Sequence, residues 1–439
     1  MDAVELLRDL VRVRSVNPPG DEAEVADRLG AYLSGAGLGT ETLVSPTGRV
    51  NLVARLPGPR DRPALVLLSH SDVVPVREEA WSHDPFGAEV ADGVLWGRGT
   101  LDMKGIAVMH AVAAAEQARS GRTPEREIVV AMTADEEDGG GEGARWLIDS
   151  HAERVGLGEG RPPPEVLGEG AYGIAGTLER PVIPIAAGEK TAVWLEIVAE
   201  GGSGHGGLPP SRQAVVSLAG ALEAVAGFGT PRVHPVIREQ FGTLAGVTSG
   251  GFAAVLRALA SRFGGAVARA VAPQLRRRSS LGMLLADSLT PTMVSAGYKA
   301  NVVPAQARAL LDCRLLPDTD VRAFVRAVDR RAHRRGARVA TAVQKGHGPV
   351  SGKGPLYETL VRASAELAPR AVPTISLTPA ITDLRFFRAR GATAYGWCPL
   401  VLDQDLLGTI HGDDERVPLE DFRRAVAVMT DVVRQATSG

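Results

Sequence analysis

Ala64-Leu65-Val66-Leu67-Leu68-Ser69-His70 is an almost uninterrupted apolar run that ends in a histidine. A run of this length is typical of a strand that is buried on both faces. A second such run, Glu127-Ile128-Val129-Val130-Ala131-Met132-Thr133, follows an alanine-rich, helix-like stretch from Lys104 to Arg119. Strands that alternate with helices predict an α/β protein with a mainly parallel sheet covered by helices, whose ligands bind beyond the carboxyl ends of the strands.

The pattern of apolar and polar residues changes twice along the chain, which predicts two domains. With 439 residues it is longer than one hydrophobic core usually grows. From Lys190 apolar and polar residues alternate, as in antiparallel strands with one exposed face. After Pro355 the earlier pattern of short apolar strands and amphipathic helices returns. We predict a first domain in two parts, 1–188 and 348–439, interrupted by an inserted α+β domain over 189–347. A helix-like stretch of the insertion, about 235–289, contains no chemical motif.

Composition and charge exclude several classes of function. Hydrophobic residues make up 44% of the chain and charged residues 23%, as in an ordinary globular protein. Lysine and arginine (49) nearly balance aspartate and glutamate (51), and a net charge of −2 provides no electrostatic footprint for nucleic acid or anionic lipid. We therefore predict a small-molecule partner, with neither nucleic acid nor membrane bound.

Cysteine usage and the amino terminus favour a reducing compartment. Cys313 and Cys398 each lie in an apolar stretch and are expected to be buried thiols, not a disulfide. The start of the chain lacks the basic and apolar segments of a secretory signal, and no stretch approaches the ~20 apolar residues of a membrane span. These features predict a cytoplasmic location.

Two local motifs place a histidine or a carboxylate where it could bind a metal. In Ser69-His70-Ser71-Asp72 the carboxylate can orient the histidine through its second ring nitrogen. A structural histidine at a strand end is the alternative. In the glycine-rich turn Gly97-Arg98-Gly99-Thr100-Leu101-Asp102-Met103-Lys104-Gly105, Asp102 either binds a metal or caps the following helix. Neither motif decides between its alternatives alone.

Three further segments supply ligands of the same kind. Asp135-Glu136-Glu137-Asp138 directly follows the strand that ends at Thr133, and it forms either a metal site or a solvated acidic loop. Glu169 lies between two glycines and His411 precedes an acidic turn, so each is uninformative in isolation. Together the five segments offer two histidines and three or more carboxylates, a set suited to two divalent ions that share a bridging carboxylate.

The residues of these segments and their order along the chain resemble those of the M20 metallopeptidase family, from about Leu6 to Val428. The family includes aminoacylases, carboxypeptidases, desuccinylases and acetylornithine deacetylase. The resemblance implies one metal bound by His70, Asp102 and Glu169 and another bound by Asp102, Glu137 and His411, with Asp102 as the bridge. It implies that Glu136 is the general base, that Asp72 orients His70, and that the Asp102–Met103 peptide is cis.

The inserted domain resembles the family's lid, which also forms the dimer interface. Gly204-His205-Gly206 is similar to the segment of the lid histidine, which stabilises the oxyanion and often belongs to the partner subunit. Asn301 and Arg314 match residues that hold the substrate carboxylate, a role that suits the planar fork of arginine. Thr382 lies in a substrate-side loop that is less rich in glycine than the family's pattern, which leaves the shape of the pocket open.

The resemblance implies a hydrolase that cleaves a peptide or N-acyl-amino-acid bond beside a free carboxylate, as a homodimer with two divalent ions. Zinc is the predicted metal, with cobalt or manganese as alternatives. Asp72-Val73-Val74-Pro75-Val76, Trp81 and Asp84-Pro85-Phe86 are most similar to the branch of carboxypeptidase S, Gly-Xaa carboxypeptidases and N-acyl-amino-acid hydrolases. A biosynthetic desuccinylase or deacetylase is one alternative. A non-catalytic binding protein, which is expected to lack a metal ligand or the base, is another.

Overall fold

The computed structural model describes residues 1–278 and 280–438 of the chain. The strands are β1 (Gly39–Val44), β2 (Val50–Leu56), β3 (Leu65–His70), β4 (Val90–Ala91), β5 (Val94–Trp96), β6 (Ile128–Thr133), β7 (Glu165–Ile174), β8 (Val182–Glu189), β9 (Thr191–Glu200), β10 (Gly204–His205), β11 (Ser288–Ala296), β12 (Val302–Val303), β13 (Gln306–Leu315), β14 (Ala337–Gln344), β15 (Val372–Thr378), β16 (Thr393–Leu402) and β17 (Arg416–Pro418). The helices are α1 (Ala3–Val11), α2 (Ala23–Gly35), α3 (Lys104–Arg119), α4 (Ala144–Ser150), α5 (Ala214–Val225), α6 (Pro235–Leu244), α7 (Gly250–Ala260), α8 (Gly264–Arg278), α9 (Val321–His333), α10 (Pro355–Glu366), α11 (Leu384–Ala389), α12 (Gln404–Leu407) and α13 (Leu419–Thr437).

The larger sheet is built mainly of parallel strands, as predicted. Within the described residues its eight strands follow the order β1-β2-β6-β3-β7-β16-β8-β15. Strand β3 pairs in parallel with β6 and β7, β7 with β16, and β8 with β15. At the other end, β1 and β2 are antiparallel because the link over 45–49 is too short for a crossover connection.

The alternation of side chains along β3 explains why this strand is apolar throughout. Leu65 and Leu67 face a core that includes α1, α2, α3, α10 and α13, whereas Val66 and Leu68 face a second core with α4 and α11. Successive side chains of a strand point to opposite faces. Every residue of β3 is buried, and each large apolar side chain contributes ~1.5–3 kcal/mol relative to exposure. Helices therefore cover both faces of the sheet.

A second sheet contains strands from the inserted part of the chain and is antiparallel. In the part of the chain that the structure describes, its four strands follow the order β11-β13-β9-β14. Val193, Leu195 and Ile197 on β9 pack against α5 and α9, while Trp194 and Glu196 between them are half-buried on the opposite face. The alternating sequence therefore predicted both the strands and the side of this sheet that is buried.

Helices α6, α7 and α8 occupy most of the stretch about 235–289 and lie against the larger sheet. Ile237, Phe241 and Leu244 share an apolar cluster with Val182 on β8 and Leu377 on β15. Strand β15 is the last in its sheet, so these helices extend the helical covering to that edge. None of the helices within 1–278 and 280–438 is both long and apolar enough to cross a membrane.

Both cysteines are buried free thiols, as the sequence predicted. Burial raises the pKa of Cys313 to about 12. A thiol with so high a pKa stays protonated near neutral pH and is a poor nucleophile. Cys313 and Cys398 therefore serve as small apolar residues of the two cores.

Candidate metal centre and active site

The carboxyl ends of the central strands bring the predicted ligand residues together. His70 is the last residue of β3, Glu137 lies just beyond β6, and Glu169 is on β7. Because β6, β3 and β7 are parallel neighbours, their carboxyl ends meet at one edge of the sheet. Loops supply the other two residues, since Asp102 precedes α3 and His411 follows α12.

Two groups of three residues, among those that the structure describes, have donor atoms close enough to hold a metal ion. In the first group, His70 Nε2 lies 3.3 Å from Asp102 Oδ1 and 3.8 Å from Glu169 Oε1. In the second, His411 Nε2 lies 3.0 Å from Asp102 Oδ2 and 3.3 Å from Glu137 Oε1. The two oxygens of Asp102 thus face different histidines, an arrangement that suits one carboxylate between two cations.

The protonation behaviour of these residues fits a site for cations. Burial raises the pKa of Glu169 to about 7, with the negative charge of Asp102 adding to the effect. The nearby carboxylates of Asp102 and Glu137 raise the pKa of His411 to about 10. A divalent cation would take the place of these protons, and mixed imidazole and carboxylate donors suit zinc and similar ions. The five residues therefore fit the metal centre that the resemblance implied.

Asp72 supports the site differently from the prediction. His70 Nδ1 lies 2.9 Å from the backbone carbonyl of Asp72, whereas the Asp72 carboxylate is 3.6 Å away. The carboxylate instead accepts hydrogen bonds from the backbone N–H groups of Glu136 (3.2 Å) and Glu137 (3.1 Å) and from Asn17 Nδ2 (2.8 Å). The carbonyl fixes the imidazole so that Nε2 faces the other ligands, and the carboxylate holds the acidic loop in place.

The loop that carries Asp102 is held by Glu415, which no sequence motif singled out. Its fully buried carboxylate accepts from the backbone N–H groups of Gly99 (3.1 Å), Leu101 (2.7 Å) and Asp102 (3.0 Å). It also forms a 2.6 Å ion pair with Arg98. The acidic turn after His411 was the only signal in the sequence, and Glu415 is 313 positions from Asp102.

The alternative in which Asp102 caps α3 is wrong. Met103 is the N-cap residue of this helix, and its first turn has no side-chain cap. The carboxylate of Asp102 lies instead between the two histidines. The Asp102–Met103 peptide is cis, as the resemblance implied.

Glu136 is buried in the cleft, and its Oε1 has no hydrogen-bond partner among the described residues. Burial raises the pKa of this carboxyl, and the negative charge of Glu169 raises it further. Arg385 Nη1 lies 4.0 Å from Glu136 Oε1. Asp135 turns the chain just before Glu136 with a φ of 65°, in the left-handed region that few non-glycine residues adopt. This turn presents Glu136 beside the ligand Glu137 without using its carboxylate as a structural acceptor.

Arg385 is a buried residue of the site for which the sequence gave no signal. Its Nη2 donates to the Gly139 carbonyl and its Nε to the Lys345 carbonyl, each at 2.8 Å. It lies on α11 beside Asp383, whose Oδ2 accepts from Thr133 at 2.8 Å. Arg385 thereby ties the acidic loop after β6 to the segment that follows β14.

A cleft of about 620 Å³ extends from the metal-ligand groups to the inserted sheet. Arg314 on β13 lines it from the inserted sheet, and Arg314 Nε donates to Asp312 Oδ1 at 3.0 Å. Thr382, in the segment after β15, lines it from the side of the larger sheet, and its backbone N–H donates to Glu189. The structure therefore brings Arg314 and Thr382 into the same cleft as the metal-ligand groups.

His205 and Asn301 lie next to each other, away from the described residues that line this cleft. The short strands β10 and β12 pair, and the backbone N–H of Gly206 donates to the Asn301 carbonyl at 2.9 Å. Both His205 and Asn301 are exposed to solvent. Among the described residues of a single chain, these two are therefore not part of the lining of the cleft.

The sheet holds imidazole and carboxylate groups at its carboxyl edge, beneath a cleft. This arrangement is typical of the class of α/β metallohydrolases. Residues 66–435 match the model of peptidase family M20/M25/M40. The chain belongs to this family, whose members are metal-dependent hydrolases of peptide or amide bonds. The resemblance found in the sequence motifs is confirmed.

Individual relatives agree with this membership over the whole chain. Aminoacylase-1 of Sus scrofa is 27% identical over 99% of this chain and 95% of its own length. Succinyl-diaminopimelate desuccinylase of Phenylobacterium zucineum (strain HLK1) is 29% identical over 99% of this chain and 98% of its own. The solved M20 family metallo-carboxypeptidase Sso-CP2 from Sulfolobus solfataricus has a TM-score of 0.76 at 16% identity, with 99% of each chain covered. The likeness to that structure confirms the predicted fold.

Proposed function

We propose that this protein hydrolyses the amide bond of a dipeptide or N-acyl amino acid whose released residue has a free carboxylate. The observation that carries the proposal is the arrangement of the cleft. The unpartnered carboxylate oxygen of Glu136 lies beside both ligand groups, and Arg314 lies in the same cleft. A base, a metal centre and a carboxylate-binding cation in one cleft are the components that this reaction requires.

The metal centre holds two divalent ions, of which zinc is the first candidate and cobalt or manganese are alternatives. His70, Asp102 and Glu169 hold one ion, and Asp102, Glu137 and His411 hold the other. When bound, such ions polarise the amide carbonyl and lower the pKa of water. The backbone carbonyl of Asp72 keeps His70 oriented for this task.

Glu136 is the general base and then the general acid. Its Oε1 takes the proton of the attacking water and delivers it to the leaving nitrogen, so the carboxylate is regenerated in each cycle. Burial supports this role because it raises the proton affinity of the carboxylate.

Arg314, Thr382 and Asn301 form the proposed substrate-binding set. Arg314 lines the cleft, and its planar guanidinium is suited to bind the carboxylate of the released amino acid in a bidentate pair. Thr382 Oγ1 is buried without a hydrogen-bond partner in the described chain, so it is available to a substrate polar group. Asn301 is exposed beside His205. In this proposal, Asn301 enters the active site together with His205.

We propose that the protein is cytoplasmic and forms a homodimer. The dimer forms through a lid domain over 189–347, which separates the catalytic parts 1–188 and 348–439 in the sequence. The order of the inserted sheet places β11 at its edge. Met293 and Val294 on this strand are 66% and 63% exposed, and an apolar edge strand is a surface for pairing with a second chain. The exposed position of His205 leaves it available to the partner's cleft, where it stabilises the oxyanion.

Complementation tests whether His205 acts in the partner's site. We expect His205→Ala to lower kcat by about 10²–10³-fold, as loss of an oxyanion donor does. Co-expression with inactive Glu136→Gln chains should restore about one quarter of wild-type activity, because half of the dimers are hybrid and each hybrid contains one intact site. Activity that stays at the level of the two separate variants would contradict a role in trans.

Hydrolysis of a substrate panel tests the proposed reaction itself. The panel contains dipeptides, N-acyl amino acids and their carboxyl-amide counterparts, assayed with metal-reconstituted protein and with a chelated sample as control. We expect cleavage that is lost on chelation and at least about tenfold slower for the amides, because they cannot pair with Arg314. The preferred acyl group distinguishes an aminoacylase from a desuccinylase. Equal cleavage of the amides would contradict the carboxylate clamp, and cleavage that survives chelation would contradict the metal mechanism.

A further inference from the structure

Lys345 places a second cation in the cleft that contains the metal-ligand groups. It is the first residue after β14 and is half-buried. Its Nζ lies 4.0 Å from the centre of the Trp194 ring, and both residues line the cleft together with Arg314. Lys345 forms no ion pair with any residue in 1–278 or 280–438. Its charge is therefore available to an anion in the cleft.

The sheet fixes the spacing between this cation and Arg314. Arg314 on β13 is in register with Ala192 on β9. From the other side of β9, the backbone N–H of Lys345 donates to the Ala192 carbonyl at 3.0 Å. The two residues thus flank the same position of the central strand, and their backbones are about 10 Å apart, or two strand spacings. Two cations that start from separate strands can each bind one carboxylate of the same substrate.

Lys345 is also held close to the reacting end of the cleft. Its carbonyl accepts the 2.8 Å hydrogen bond from Arg385, the residue whose Nη1 approaches Glu136. A Cβ placed on Gly139, two residues after Glu137, would lie 3.6 Å from Lys345 Nζ. The ammonium group therefore lies beside the acidic loop, within reach of a short acyl chain or side chain of a bound substrate.

We propose that Lys345 and Trp194 form a second anion subsite, which binds a second carboxylate of the substrate. The inference rests on the proposed amide hydrolysis and narrows its substrates to dicarboxylates. The second carboxylate belongs either to a dicarboxylic acyl group such as succinyl or to an acidic side chain of the released amino acid. Trp194 contributes by excluding water from one side of the ammonium, which strengthens the pair with a carboxylate.

Two pairs of nearly isosteric substrates test the subsite and identify the source of the carboxylate. N-succinyl-alanine is compared with its neutral N-succinamoyl counterpart, and N-acetyl-glutamate with N-acetyl-glutamine. We expect the wild-type protein to prefer the dicarboxylate by about 10–100-fold in kcat/KM within one pair, as a charged hydrogen bond provides. Lys345→Met should abolish that preference and Lys345→Arg should keep most of it, because arginine also pairs with carboxylates.

Lys353→Met is the matched control, since Lys353 is exposed and pairs with Glu239 at 2.6 Å on the surface. It should leave the preference unchanged. A wild-type protein without preference in either pair, a preference that survives Lys345→Met, or an equal loss for both members of a pair would overturn the subsite. Cleavage of none of the four compounds, when dipeptides are also not cleaved, would contradict the proposed hydrolysis and not the subsite. Calorimetric binding of the same pairs to metal-loaded Glu136→Gln protein then tests the subsite without turnover.

Discussion

Replacing Glu136 by glutamine is expected to lower kcat by about 10²–10⁴-fold while both metals stay bound. Glutamine has nearly the same shape as glutamate but cannot take a proton from water. The loss should be confined to turnover, because Glu136 is not one of the residues in either ligand group. Steady-state kinetics together with metal analysis of the purified variant measures both quantities.

Glu142→Gln is the control for this substitution, because Glu142 is a half-buried glutamate a few residues further along the same segment and belongs to neither ligand group. It should retain wild-type kcat and metal content. A Glu136→Gln protein that keeps its metals and loses less than about tenfold in turnover would contradict the role of general base. If the variant also loses metal, its metal affinity has to be compared with that of the wild-type protein before the change in kcat is interpreted.

Replacing Glu415 by glutamine is expected to lower the free energy of unfolding by about 3 kcal/mol or more. The substitution breaks a buried ion pair with Arg98 and leaves that guanidinium without its counter-charge, a change that costs ~3–5 kcal/mol. The side chains of Arg98 and Glu415 are 2% and 0% exposed, so solvent cannot compensate. The loop with Asp102 should loosen as well, which lowers the affinity for metal.

Urea unfolding of metal-free protein measures this effect without a contribution from metal binding. Glu420→Gln is the matched control, because the Glu420 side chain is 91% exposed and its contact with Arg424 is 3.7 Å long. It should leave the unfolding midpoint unchanged. Equal stability of the Glu415→Gln and Glu420→Gln proteins would contradict the structural role of Glu415.

The family and most of the fold could be predicted from the sequence because their signals are local. A strand buried on both faces has to be apolar at each position, so Leu65 to His70 indicated a central strand directly. Alternating residues on β9 indicated a sheet with one buried face. No single motif identified the expected metal ligands, and only the five segments together, in their order along the chain, resembled the family.

The support of the site could not be predicted, because it depends on contacts between distant segments. Whether Asp72 holds His70 by its carboxylate or its carbonyl is decided by how the acidic loop packs against it. Glu415 and Arg385 look like ordinary charged residues until burial and their partners are known. A buried charge is stable only with specific partners, and those partners are a property of the three-dimensional arrangement.

The sequence by itself indicated the α/β architecture through local patterns, and it indicated the family and the expected metal ligands through the order of five short segments. Only the tertiary structure decided which of these side chains share one cleft. It brought Arg314 and Lys345 to opposite sides of Ala192 and left His205 exposed outside the cleft. The physical reason is that strand pairing and chain reversal set distances between residues that are far apart in sequence, and no local pattern contains that information.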